Sequence, residues 1–362
     1  VQNDTAVRLP QQRGSVASGE PAAPTREHRF DIDLMRLICS ATVMLGHVGA
    51  QFIHATGNDP ANGAGAYWAG HVAEGINAFA VPLYFAIAGW AVLVGAPPRD
   101  SSRMWQRVVR NVVPLFAWTA VYLVWAWLRG RNDRPMTELA AGSLFGSVQP
   151  AYHLWFMYTY IPITVLLAFA VLIKAGRRPW GLGAALLGIA VLPSALTTAT
   201  EVTGHGMPSV AWGFSTYSVV YAVGGALLFA LPAGVVRKRW PLVVLLPLTM
   251  AGAAWYNTQV HYVLPNAHLF VAAMSVCVLL LVSRVRVPEA WRPRLRKLAD
   301  AALGAYMVHV LFVEEIVGPL ASPDLSGPVA GLLLAALVVT VMALSFATSL
   351  LWGKLRLRRL LG

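Results

Sequence analysis

Arg36 and His47 stand eleven residues apart in a stretch that is otherwise almost wholly apolar, DIDLMRLICSATVMLGHVGAQFIH, from Asp31 to His54. At about 100° of rotation per residue their side chains fall about 20° from one line along a helix. Asp33, Ser40, Gln51 and His54 lie within about 40° of the same line. The chemistry open to such a stripe is proton transfer and anion binding. Imidazole changes charge near neutral pH and acts as a general base toward a hydroxyl, which is a poor nucleophile without one. Guanidinium binds phosphate. A lone histidine among apolar residues reads as a hydrogen-bonding packing group; an aligned polar set at bilayer depth reads as the lining of a wet, functional cavity. A rise of 1.5 Å per residue separates the two backbones by about 16 Å, so Arg36 does not reach the atom that His47 touches.

The elements that hold this stripe follow from composition. With 57% apolar and 12% charged residues over 362 positions, an ordinary soluble domain is excluded and an all-α, polytopic membrane protein is expected. Apolar runs predict about ten spans, at 34–53, 76–96, 111–128, 153–173, 181–197, 213–231, 241–256, 266–283, 300–319 and 328–352. Of the 28 Lys and Arg, 25 lie in the N-terminal tail, the first helix start and alternate loops, and three (Arg129, Arg131, Arg134) lie in the others. The positive-inside rule then puts both termini in the cytoplasm. The net charge of +12 is therefore a topology signal, and no basic extramembrane domain exists to bind nucleic acid. Cys39 and Cys277 both fall in predicted spans, which gives neither a disulfide framework nor a cysteine metal site. Residues 1–29 lack the apolar segment of a signal peptide and read as a disordered cytoplasmic tail. Residues 30–352 form the transmembrane domain, and 353–362, with KLRLRR, a basic cytoplasmic tail facing anionic lipid.

Arg, ten residues, then His, in a first helix that opens hydrophobic-Asp-hydrophobic-hydrophobic-Arg, resembles the start of the membrane acyltransferase family 3 proteins. VPLYFAIAGW (Val81 to Trp90) is similar to their second-helix signature, HLWFMY (His153 to Tyr158) to the start of their fourth helix, and LGAYMVHV (Leu303 to Val310) to their penultimate helix. One position departs: Ala88 stands where the family pattern has Ser. The resemblance implies a bacterial enzyme of the cytoplasmic (inner) membrane. Such an enzyme moves an acetyl or other short acyl group from acetyl-CoA or another acyl-CoA onto a hydroxyl of a sugar, a cell-envelope glycan or polysaccharide, or a secondary metabolite, with no metal.

Under that resemblance His47 is the general base. Arg36 either holds the phosphate or pantetheine part of the donor or pairs with Asp33 one turn away. Arg103, Arg107 and Arg110 recur at helical spacing on a short helix, as a docking face for coenzyme A phosphates or as an anchor on anionic lipid. Tyr84, Tyr306 and His309 are candidate oxyanion donors, with Tyr84 equally a packing aromatic and His309 equally an interhelical hydrogen-bonding group. His309 falls at the depth of His47. His153 and Trp155, at the outer start of the fourth helix, line the acceptor entrance or belong to the interfacial aromatic belt. Asn77 and Glu314 complete the acceptor candidates. His205, His261 and His268 have no metal-ligand spacing. From another class, a transporter or flippase would use the same polar cavity, but no internal repeat supports it.

Overall fold

The computed structural model describes residues 28–232 and 234–362, and all its regular structure is helical. The expected tail at 1–29 lies, except for His28 and Arg29, outside the described residues. In chain order the helices are α1 (Phe30–Ala55), α2 (Ala64–Asn77), α3 (Ala80–Trp90), α4 (Ser101–Leu128), α5 (Met136–Gly142), α6 (Trp155–Lys174), α7 (Trp180–Thr203), α8 (Thr216–Ala230), α9 (Trp240–Gln259), α10 (Leu269–Val282), α11 (Arg292–Phe312), α12 (Gly318–Leu320), α13 (Gly327–Lys354) and α14 (Arg358–Leu361). A 3-10 segment, Gln149–Leu154, leads into α6, and π-turns at Ala91–Gly95 and Val313–Val317 follow α3 and α11.

The ten apolar runs are mostly helical, with 76–96 divided among α2, α3 and a π-turn and 300–319 among α11, a π-turn and α12, but among the described residues seven helical stretches are long and apolar enough to cross a membrane. Two more, α8 and α10, are apolar but only 15 and 14 residues long. The protein is a multi-pass membrane protein. Two expectations shift. The second span begins at Ala64 rather than 76, because α2 is built from small residues that make no long greasy run and pack closely on α1 instead. The arginines of 103–110 occupy no short helix of their own: Asp100 caps the α4 start by accepting the Arg103 amide at 2.8 Å, and the helix runs on unbroken into its apolar part.

Small residues bring the central helices together, as membrane packing demands where lipid is as apolar as the core. A Cβ at Gly49 of α1 would lie 2.7 Å from Ala73 Cβ and 3.0 Å from Gly70 O on α2, and one at Gly89 of α3 would collide with the Ala222 carbonyl on α8. The start of α1 is tied down by charge. Arg29 holds Asp31 through two hydrogen bonds of 2.7 and 2.6 Å, Asp31 also accepts the Arg284 amide at 2.6 Å, and Arg29 donates to the Phe229 carbonyl at 3.1 Å. That knot joins α1 to the ends of α8 and α10 and sets the depth at which the polar stripe enters the bundle.

Candidate active site

Of the stripe on α1, Arg36 and His47 face a cavity of about 1190 Å³, lined also by Tyr84 and Ala88 of α3, by Arg110 of α4, by His153 and Trp155, and by Tyr306 of α11, whereas Asp33, Ser40, Gln51 and the exposed His54 lie outside that lining. Arg36, at the near end where α1 begins, lies 3.5 Å from Asp33, which also sits 2.6 Å from His28 Nε2. Arg36 thus pairs with Asp33 and also borders the cavity.

Three histidines meet in the interior. The His47 ring lies 5.0 Å from that of His309 and 6.4 Å from that of His153, and His153 and His309 are 5.3 Å apart, centre to centre. His47 is partly accessible and makes no hydrogen bond to the described residues, whereas His153 and His309 are buried. Their tautomers follow from their partners, since only a protonated ring nitrogen donates to a carbonyl. His309 Nδ1 donates to the Tyr306 carbonyl at 2.5 Å and His153 Nε2 to the Met307 carbonyl at 3.4 Å. Each is left with one buried nitrogen, His309 Nε2 and His153 Nδ1, that has no partner. In the neutral form these are lone pairs, so His309 has no N–H left for an oxyanion.

The two tyrosine hydroxyls are also committed. Tyr306 donates to the His153 carbonyl at 2.5 Å. Tyr84 lies 2.7 Å from Ser40 Oγ and 3.3 Å from the Arg36 carbonyl, while Ser40 donates to that same carbonyl at 3.0 Å.

His153 is deeper than the sequence implied. The 3-10 segment before α6 packs against α4 and carries the imidazole inward, 4.9 Å from the Tyr122 ring and 5.6 Å from Tyr306. Trp155, two residues along, is 37% exposed and stays at the cavity wall. Two contributors went unread in the sequence: Tyr152, whose ring is 5.7 Å from His47, and Tyr122, which donates to the Met307 carbonyl at 2.8 Å. Tyr152 is adjacent to a flagged motif, but Tyr122 sits among apolar and aromatic residues of α4 and carries no local signal.

The remaining candidates fall elsewhere. Arg103 pairs with Asp100 at 3.6 Å and Arg107 donates to the Ala96 carbonyl at 2.6 Å; neither lines the cavity, and Arg110 does. Asn77 packs against the open face of Gly46, one residue before His47. Glu314 accepts from Gln51 at 3.1 Å and lies 3.8 Å from Arg131, while Glu315 pairs with Arg129 and accepts from Trp125 at 2.9 Å. These carboxylates tie α1, α4 and the π-turn after α11 together at the far end, beyond the histidines. Among the described residues no group of three or more His, Cys, Asp or Glu is arranged to hold a metal.

A helical membrane bundle with histidine and arginine side chains lining one internal cavity has the residue types that group transfer uses. A family model described as an acyltransferase domain matches residues 29–352, and the chain belongs to that family. Nodulation protein NolL from Mesorhizobium japonicum is a relative, 26% identical over 246 residues that make up 65% of this chain and 58% of NolL. The chain thus spans less than two thirds of that relative's length. No solved structure matches.

Proposed function

We propose that the protein is an integral-membrane O-acyltransferase that takes an acetyl or other short acyl group from acyl-CoA and places it on a hydroxyl of a sugar, a cell-envelope glycan or a secondary metabolite. One observation carries this reading: a single cavity is lined both by Arg36 and Arg110 and by His47. Its volume of about 1190 Å³ exceeds the roughly 300–1,000 Å³ typical of a site for one small ligand, which leaves room for donor and acceptor together. The thioester enters from the arginine end, which the distribution of Lys and Arg assigns to the cytoplasm of a bacterial cell, and both termini lie on that side of about ten spans.

His47 removes the acceptor's proton as its oxygen forms a bond to the thioester carbonyl carbon. The carbon–sulfur bond then breaks, and the leaving thiolate takes the proton back from His47. With His309 Nδ1–H held by the Tyr306 carbonyl, the bare Nε2 of His309, on a ring 5.0 Å from that of His47, becomes the acceptor for the His47 N–H when that ring turns toward it on taking the proton. A neutral imidazole fills the place that a carboxylate takes in other base dyads. Tyr84 and Tyr306, whose hydroxyls are engaged, position the walls around this pair.

The direct test is release of free thiol when purified protein is incubated with acetyl-CoA and candidate alcohols. No thiol release with any acceptor, alongside passage of a labelled glycan or lipid across proteoliposomes, would replace the enzyme with a transporter. Two substitutions probe the parts. Arg110→Ala is expected to raise the donor KM about tenfold, the loss of one charged hydrogen bond, while Arg103→Ala stays within about twofold because that side chain faces Asp100 outside the cavity. His309→Leu is expected to lower kcat about tenfold with donor KM unmoved, and His309→Gln, which keeps an acceptor near the Nε2 position, to recover part of it. Equal loss in the Leu and Gln variants would make His309 a packing residue only.

A further inference from the structure

Residues 355–362 do not trail away from the bundle. Arg356, in the left-handed region at φ 59°, reverses the chain after α13, and the Leu357 amide closes the turn on the Trp352 carbonyl at 3.0 Å. The short helix α14 then lies back against α4. Trp118 Nε1 donates to the Leu361 carbonyl at 3.1 Å, and Gly362 is buried against Gly304 of α11. A non-glycine residue held at positive φ costs about 1 kcal/mol or more, so the reversal is supported by these contacts, not by local preference.

The reversal brings Arg358 and Arg359 into the lining of the main cavity, beside Arg36 and Arg110. One carboxylate, Asp300, lines the same mouth. Of the four guanidinium groups, Arg36 has Asp33 and Arg358 donates to the Asp300 carbonyl. Arg110 and Arg359 have neither a hydrogen bond nor an ion pair among the described residues. Four guanidinium groups against two carboxylates, Asp33 and Asp300, leave this opening net positive, a field that favours a multiply charged anion. Planar guanidinium donors match phosphate oxygens two at a time.

We propose that Arg358 and Arg359, carried into the cavity mouth by α14, bind phosphate groups of the nucleotide end of the thioester donor, so that the folded-back segment forms one wall of the donor site. This rests on the acyl-CoA reading above and adds two residues and an element to it. An anionic lipid headgroup offers the same phosphate chemistry, and the experiment separates the two sources.

The full chain is placed in nanodiscs of phosphatidylcholine alone or of phosphatidylcholine with phosphatidylglycerol, and CoA binding is measured at equilibrium, without turnover. In phosphatidylcholine discs Arg358→Ala/Arg359→Ala is expected to bind CoA at least about tenfold more weakly than the parent chain, on the scale of a lost charged hydrogen bond. Arg359→Lys should lose less than Arg359→Ala, and Arg178→Ala, an exposed arginine outside the cavity, should bind like the parent. A matching monodisperse profile shows that the double variant is folded. Equal CoA affinity in parent and double variant overturns this inference and leaves the donor reading standing. So does a variant whose only defect is loss of bound phosphatidylglycerol. A parent chain that binds no CoA in either disc removes the donor reading, and this proposal with it.

Discussion

His47→Ala is expected to remain folded in the membrane at parental abundance and to lose about 10²- to 10⁴-fold in turnover, the range that a positioned general base contributes. The packing around residue 47 allows this separation. His47 makes no hydrogen bond to the described residues and faces open space, so truncation strands no buried partner except the lone pairs of His153 and His309, which already lack one. The neighbouring contacts that hold α1 on α2, through Gly46 and Gly49, do not involve the imidazole. Thiol release from acetyl-CoA, scaled to protein quantified in the membrane, is the measurement. Turnover within about threefold of the parent would leave general-base catalysis without its base and would shift attention to His153 or to a substrate-assisted route.

The second large effect is expected from Arg36→Ala, which should weaken donor binding by about tenfold to a hundredfold while kcat for bound donor changes far less, as follows when a charged hydrogen bond to phosphate is removed. The two alternatives for Arg36 predict different observables. If its task is to hold the donor, CoA affinity falls. If its task is only to hold Asp33, 3.5 Å away, affinity is unchanged and thermal stability falls instead, though modestly: Asp33 keeps His28 at 2.6 Å, and Arg36 is partly exposed, where ion pairs contribute little. Asp33→Asn distinguishes them further, because it breaks the pair and leaves the guanidinium free for phosphate.

The placement of Arg36 and His47 on one face of α1 is the part of the site that is local in the chain. His47 and Arg36 were legible because helix geometry is local: 3.6 residues per turn fixes which side chains share a face whatever the rest of the chain does. The helical, membrane-spanning class was legible for a similar reason, since backbone polar groups in hydrocarbon must be satisfied within the segment itself. His309 was placed at the depth of His47 by counting along two helices, and their rings lie 5.0 Å apart. By contrast, a continuous helical period puts His153 at the outer end of its helix, and the chain does not keep that period there. The 3-10 segment before α6 changes both rise and direction, and it delivers the ring into the interior.

Side-chain commitments were beyond a linear reading altogether. Nothing local to Tyr306 or Tyr84 reveals that their hydroxyls point to the His153 carbonyl and to Ser40, or that the His309 tautomer is set by its own preceding turn with Nε2 left bare. The basic end of the chain teaches the same lesson. KLRLRR has the composition of a stop at a lipid surface, and only the left-handed turn at Arg356 and the Trp118 contact bring it back to the cavity. Composition and helix period determined by themselves that this is a membrane bundle with a histidine and an arginine on one face of its first helix. Which groups surround that histidine, which are already spent on backbone partners and which arginines share its cavity were decided by contacts between residues far apart in the chain, whose geometry no local rule carries.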